Sequence, residues 1–341
     1  MNKSEPVKCF FVVGEESGDQ LGAHLIRALR ARLGGRLILE GVGGQAMQAQ
    51  GLTSLFDMNE IAVMGFSAVL ARLPVILKRI RQTARAAIAA KPDLVILIDS
   101  PDFTHRVARR VRAALPDVPV VDYVCPSVWA WRPERAAQMT AYIDHVLAIL
   151  PFEPAALQKL NGPGATYVGH PLREISPDWD IKPIDSKERK TLLVLPGSRA
   201  GEVKRLLPVF AETVAELARR RSDVDVIIPA VPHLRARIAA QTAGWSVQPH
   251  IIDTQAEKRH AFMMADAALA ASGTVCLELA LAGVPMGAAY RLGPIARQLR
   301  FLVRIWSANL ANLILDYPIV PEYIDELVRP PAIARALDRL L

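Results

Sequence analysis

Short unbroken apolar runs, each followed by a segment of helical period, recur along this 341-residue chain. "KCFFVV" (8–13), "RLILEGV" (36–42), "DLVILID" (93–99), "VPVVDYV" (118–124) and "DHVLAIL" (144–150) are the first set. Strands apolar on both faces belong to parallel sheets covered by helices on both sides, so an α/β architecture is required. A polar, proline-bearing stretch, "PLREISPDWDIKPIDSKERK" (171–190), breaks the pattern. It then restarts with "TLLVLP" (191–196), "DVDVIIP" (223–229), "ADAALA" (265–270) and "VPMGAAY" (284–290). A chain this long exceeds one ordinary core. The expectation is two doubly wound, Rossmann-like domains, 1–175 and 176–341, facing a cleft. In such sheets ligands sit beyond the carboxyl ends of the strands, so chemistry is sought just after each strand.

Composition narrows the function classes. Half of the residues are apolar and mean hydropathy is +0.21, which leans toward a greasy or membrane-associated surface. The start, "MNKSEPVKCFFVV", runs straight into a buried strand and reads as no signal peptide. The longest apolar stretch, 61–77, is short for a span and is interrupted by Arg72 and Pro74. Cys9, Cys125 and Cys276 are far apart, as in a reducing cytoplasm, and neither they nor the seven histidines show metal-ligand spacing. No metal and no cofactor are expected. Net charge is +7, and residues 61–112 alone carry it, with ten Lys/Arg against three Asp. A basic surface beside apolar helices suits an anionic partner, nucleic acid or membrane, as well as an ordinary solvated face.

Several post-strand turns carry candidate residues. In "LPGSRAGEVKRLL" Gly197 lets backbone approach a ligand, the amides from Ser198 onward point at an anion, and Arg199 adds a fork suited to phosphate. "ASGTVCLELA" repeats this at Ser272, Gly273 and Thr274, with Glu278 one turn in and placed for sugar hydroxyls. Each also fits a plain capped turn; together they point to a nucleotide. "VVGEESGDQLGA" places Glu15, Glu16 and Asp19 where a phosphate would be repelled, and suits a sugar-facing loop or N-capping by Ser17 or Asp19. "GVGGQA" (41–46) matches a dinucleotide fingerprint but follows the second strand. "LIDSPDFTHRVARR" sets Asp99 at a strand end as a general base, with Asp102 as rival base or helix cap. "YVCPSVWAWR" brings Trp129, Trp131 and Arg132 to one turn, as a substrate wall or as packing. In "RLGPIARQLRFLVRIW" (291–306) an apolar face with Trp306 opposes Arg297, Arg300 and Arg304, a basic amphipathic helix.

The ordered set "GEESGD", "GVGG..M...G", "VMGF..VL..LP", "IDSPDF", "YVCPSVWAWR", "ILPFE", "VGHPL", "LPGSR..E", "ASGT..LE" and "VPEYI" resembles the lipid-A-disaccharide synthases of Gram-negative bacteria from about residue 9 to 328. The resemblance implies a GT-B glycosyltransferase, peripheral on the cytoplasmic face of the inner membrane. It would transfer diacylglucosamine from its UDP derivative to 2,3-diacylglucosamine 1-phosphate, releasing UDP and forming a β-1,6 bond with inversion, without metal or nucleic acid. Asp99, with Asp102 and Asp19 as rivals, would be the base. Substrate contacts would come from Glu15, Ser17, Gly18, Ser127, Trp129, Trp131, Arg132, Gly197, Ser198, Arg199, Glu202, Ser272, Gly273, Thr274, Glu278 and Asn312. Departures fall at Glu16, Ala68, Ala311 and Asp325, where the family pattern has Ala, Glu, Pro and Gln. The sequence also stops some tens of residues before typical members, which leaves a homodimer open. A related epimerase on a UDP-sugar, a nicotinamide-dependent oxidoreductase resting on "GVGGQA", and a non-catalytic membrane-binding homologue are the other readings.

Overall fold

The computed structural model describes residues 5–61, 66–172, 188–293, 297–298 and 303–341, with the side chains of 66–71 outside that description. Two compact units, Met1–Pro171 and Leu172–Leu341, divide the chain.

The amino-terminal unit alternates strand and helix: β1 (Val7–Val13), α1 (Glu16–Leu33), β2 (Leu37–Val42), α2 (Gln45–Gln48), α3 (Phe66–Ala90), β3 (Leu94–Ile98), α4 (Pro101–Ala114), β4 (Val120–Tyr123), α5 (Glu134–Met139), β5 (His145–Ala148), α6 (Glu153–Lys159) and β6 (Gly164–Tyr167). Its sheet order is β2-β1-β3-β4-β5-β6, and the pairs are parallel. Phe10, Phe11, Leu97 and Ile98 on the two central strands are fully buried, as strands covered on both faces require. The chain reverses its direction of travel across the sheet between β1 and β3, so the loops after these two strands flank the natural ligand crevice of this unit.

The carboxy-terminal unit repeats the plan with β7 (Lys190–Leu195), α7 (Ala200–Ala218), β8 (Val224–Pro229), α8 (Arg235–Thr242), β9 (His250–Ile252), α9 (Gln255–Met264), β10 (Ala267–Ala271), α10 (Thr274–Leu281), β11 (Met286–Tyr290), α11 (Leu310–Leu315), β12 (Glu322–Ile324) and α12 (Pro330–Leu340). The order is β12-β11-β10-β7-β8-β9, parallel throughout, with the reversal between β7 and β10. β10, "AALAA", is buried at every residue; side chains this small let α10 and its neighbours approach the sheet closely.

The strands read from apolar runs are all present. β6, β9 and β12, each three or four residues at a sheet edge, escaped that reading because they are too short to show a pattern. The linker expected at 171–190 lies mostly outside the described residues. So does much of the amphipathic helix expected at 291–306; where the chain is described again, 303–309 is not helical, so the helix does not run on to Trp306. No helix among the described residues is long and apolar enough to cross a membrane. The basic window 61–112 forms α3 and α4, and part of its charge is internal: Arg79 pairs with Glu60, Arg112 with Asp144, and Arg109 lies over the Tyr142 ring. Lys78, Arg81 and Arg85 remain exposed along α3.

Candidate functional site

In the amino-terminal unit the loop after β3 is held in an uncommon shape. Asp99 (φ 56) and Ser100 (φ 45) are consecutive left-handed residues, a strained pair of the kind concentrated at functional sites. The half-buried Asp99 carboxylate accepts the Ser17 hydroxyl at 3.0 Å and the Ser100 amide at 2.8 Å. Gly18 allows this approach: a Cβ there would meet Val13 Cγ1 at 2.9 Å and the Ile98 carbonyl oxygen at 3.1 Å. Ser17, Gly18 and Asp99 therefore meet, as expected of facing loops after β1 and β3. Glu15, half-buried, stands at the N-cap of α1 without a side-chain cap bond.

The two rival bases are placed differently. Asp19 is 3% exposed, and its carboxylate accepts the amides of Gly44, Ala46 and Met47 at 2.7, 2.8 and 3.1 Å. In this setting the Asp19 carboxylate, closed over three backbone donors, fastens the 43–47 loop. It also removes the dinucleotide reading of "GVGGQA": the amides a pyrophosphate would need already bind Asp19, and a Cβ on Gly44 would sit 2.6 Å from that carboxylate. Asp102 is open, its side chain 83% exposed and paired with Arg135 at 3.3 Å.

The "YVCPSVWAWR" turn divides its two rings between two tasks. Trp129 packs edge-on against Phe152 (5.0 Å, 88°), and its Nε1–H donates to the buried Glu153 carboxylate at 3.2 Å. Trp131 carries the exposed Arg132 guanidinium over its ring at 4.6 Å. Ser127 is exposed, and its carbonyl oxygen accepts the Ala130 and Trp131 amides at 3.0 Å.

In the carboxy-terminal unit a pocket of about 340 Å³ lies at the carboxyl ends of β7, β8, β9 and β10. The amino termini of α7, α9 and α10 open onto it through Arg199, Thr254 and Gly273. Three converging helix termini bring their positive dipole ends to the pocket, a setting for a diphosphate. Gly197 (φ +107) is obligatory, because a Cβ would also lie 2.5 Å from Glu202 Oε2. Glu202 accepts the Arg199 amide at 3.3 Å and its guanidinium at 3.1 Å, holding that exposed side chain at the rim. Glu278 lines the pocket and pairs with Lys258 at 2.5 Å. Ser198, Ser272, Gly273 and Thr274 line the same pocket, and the Ser272 hydroxyl donates to the Ala308 carbonyl at 3.1 Å.

Sequence reasoning missed Lys258 and Thr254. The signal was present in "TQAE", a capping box that starts α9, where Thr254 and Glu257 satisfy each other's backbone amides. Asn312, expected to orient substrate, is 1% exposed and clipped to Val320 in both directions, donating to its carbonyl at 2.9 Å and accepting its amide at 2.8 Å. Its Nδ2 also donates to Glu322 Oε2 at 3.3 Å, so in this structure the side chain ties α11 to the segment before β12. Among the described residues no three His, Cys, Asp or Glu side chains gather as metal ligands.

Comparison with known proteins assigns the lineage. Residues 9–341 match the family model described as lipid-A-disaccharide synthetase. The lipid-A-disaccharide synthase of Nitrobacter winogradskyi is 50% identical over 339 residues, 98% of this chain and 86% of that protein. That of Rhodospirillum centenum is 43% identical over 344 residues, 99% and 86% of the two chains. Among solved structures, the Methanocaldococcus jannaschii UDP-GlcNAc 2-epimerase in complex with UDP-GlcNAc and UDP aligns with TM-score 0.60 at 13% identity, over 98% of this chain and 93% of that one. MurG of Acinetobacter baumannii aligns at 0.58 and 14%, over 98% and 90%. Those likenesses are of fold, two Rossmann-like units of the GT-B kind. By the match over nearly its whole length and by relatives at half identity, the chain belongs to the lipid-A-disaccharide synthetase family.

Proposed function

We propose that this chain is the inverting glycosyltransferase that joins two acylated glucosamines into the lipid A disaccharide. The donor is UDP-2,3-diacylglucosamine, the acceptor is 2,3-diacylglucosamine 1-phosphate, and UDP is released. The observation that carries the reading is kinship over residues 9–341; the carboxy-terminal pocket and the Asp99 loop supply matching chemistry.

The acceptor 6-hydroxyl attacks the anomeric carbon of the donor as the bond from that carbon to the UDP oxygen breaks, and UDP leaves with the electron pair. Asp99 takes the hydroxyl proton, with Ser17 and the Ser100 amide holding its carboxylate in place. Attack from the face opposite the leaving group inverts the centre and gives the β-1,6 bond. Negative charge grows on UDP, where Arg199, Lys258 and the three helix termini offset it. Glu278 accepts ribose hydroxyls, and Gly197, Ser198, Glu202, Ser272, Gly273 and Thr274 shape the diphosphate cradle. Trp131, Arg132 and Ser127 form a wall for the anionic, acylated acceptor, with Glu15 toward its sugar. The exposed cations of α3, beside the exposed Leu73 and Val75, suit an anionic bilayer, so the enzyme works as a peripheral protein on the cytoplasmic face of the inner membrane.

The test is turnover of labelled UDP-2,3-diacylglucosamine with 2,3-diacylglucosamine 1-phosphate in mixed micelles, following disaccharide 1-phosphate and UDP together. Stoichiometric disaccharide and UDP are expected. Turnover of lipid-free UDP-GlcNAc in place of this reaction would make the chain an epimerase-like relative. UDP binding without product from either donor would make it a binding homologue.

A further inference from the structure

Three acidic side chains of the amino-terminal unit are almost fully enclosed: Asp19, Asp122 and Glu153. Asp19 fastens the 43–47 loop, and Asp122 pairs with His105 at 3.0 Å. Glu153 has no part in the chemistry described above, yet it reaches the aromatic loop from a different element. It opens α6 and is 2% exposed. Its Oε2 accepts the Ile149 and Leu150 amides at 3.1 and 2.9 Å, and its Oε1 accepts the Trp129 indole N–H at 3.2 Å. Phe152, the preceding residue, meets the same indole edge-on.

The loop thus fixed is a strained one. Val124 (φ 84) and Arg132 (φ 53) bracket it in left-handed conformations, and a β-branched residue keeps such a backbone only where its surroundings enforce it. Trp129 sits inside the bracket as the anchored ring, while Trp131 and Arg132 stack at the surface two and three residues on. We infer that Glu153 is a positioning residue, which through its bond to Trp129 sets the loop conformation that offers Trp131 and Arg132 to substrate. This rests on the reading of that loop as the acceptor wall.

The device has a built-in pH dependence. Burial pushes the Glu153 carboxyl up to about 7, opposed by the three N–H donors. The titratable group facing it from the loop is the Cys125 thiol, which burial, then Glu153 and Asp122, push well above its ordinary value. Asp122, on β4, is also held up by burial, with His105 from α4 opposing. Ionised Glu153 satisfies all three donors; a proton removes acceptor capacity and loosens the tie to Trp129.

The experiment uses the full chain as wild type, W129F and E153Q. The emission of Trp129, taken as wild type minus W129F, is followed from pH 5.5 to 8.5. Acceptor KM, kcat and UDP affinity are measured across the same range. Wild type is expected to show a transition near pH 7 that E153Q lacks, because Gln does not titrate; with its amide oxygen accepting from the Ile149 and Leu150 donors, its NH2 group is left facing the Trp129 N–H. Acceptor KM should rise about tenfold in E153Q and in wild type at low pH, with kcat within about threefold and UDP affinity unchanged. A flat difference emission in wild type, or the same transition in E153Q, would overturn the inference, as would an unchanged acceptor KM. If E153Q does not fold, the wild-type and W129F pair still decides between a transition and none. A Glu153-dependent transition in a protein that makes no disaccharide would support the loop coupling and overturn only the functional reading.

Discussion

At the residue scale, the three candidate carboxylates separate by environment although they look alike as letters in the sequence. Asp99 is half-buried, bonded by a hydroxyl and an amide, and set on a strained turn; Asp102 is solvated; Asp19 is sealed over backbone donors. D99N should lower kcat by about 10²–10⁴-fold with UDP affinity intact, measured by turnover and calorimetry on the same preparation. D102N should stay within about threefold of wild type, since its exposed pair with Arg135 contributes ~1 kcal/mol or less. D19N would turn an amide donor toward three backbone donors and should cost about 2–4 kcal/mol of stability in denaturant titration. Equal kcat losses for all three variants would show that environment does not separate their roles.

At the element scale, the pocket proposed for the donor is made by ends of helices more than by any one side chain. Gly197→Ala forces an unfavourable φ and drives a methyl into Glu202, so UDP affinity should fall by about 10-fold or more, at an estimated strain of 1–3 kcal/mol. Thr254→Ala removes the cap of α9, which should cost about 1 kcal/mol of stability, and UDP affinity should weaken with it because that terminus faces the pocket. Asn312→Ala makes a useful contrast. It unclips Val320 and should lower the melting temperature while leaving the UDP dissociation constant of the folded protein nearly unchanged. A large loss of UDP affinity in that variant would return Asn312 to the site.

For the whole molecule, two linked equilibria are measurable. Glu153 binds a proton more tightly when folded, at about 7, than in the unfolded chain, near 4.5. Its effect on stability is absent below the unfolded value, grows more unfavourable as pH rises between the two, and levels off above about 7. The full swing is roughly 3 kcal/mol, and E153Q should flatten that part of the stability–pH curve. With UDP held in the carboxy-terminal pocket as proposed, hydrogen-exchange protection should rise in that unit, by about 2.7 kcal/mol at a hundredfold excess over Kd.

Much of this architecture was legible before any coordinate. Continuous apolar strands, the strand–helix alternation and its restart after residue 190 dictate two parallel α/β sheets, because only burial on both faces suits such strands. The glycine–serine turns that end β7 and β10 are equally local, since they depend on backbone freedom and helix ends adjacent in sequence. The edge strands were too short to leave a pattern, and the roles of Asp19, Asn312, Lys258 and Glu153 were invisible for a different reason. Each depends on at least one partner 8 to 28 positions away: Val320 for Asn312, Glu278 for Lys258, Trp129 for Glu153 and Met47 for Asp19. A carboxylate's chemistry is set by whether water, an ammonium group or backbone amides surround it. Sequence determined where the carboxylates and turns would fall; only tertiary packing decided which of them stay open to a substrate and which are consumed in holding the fold.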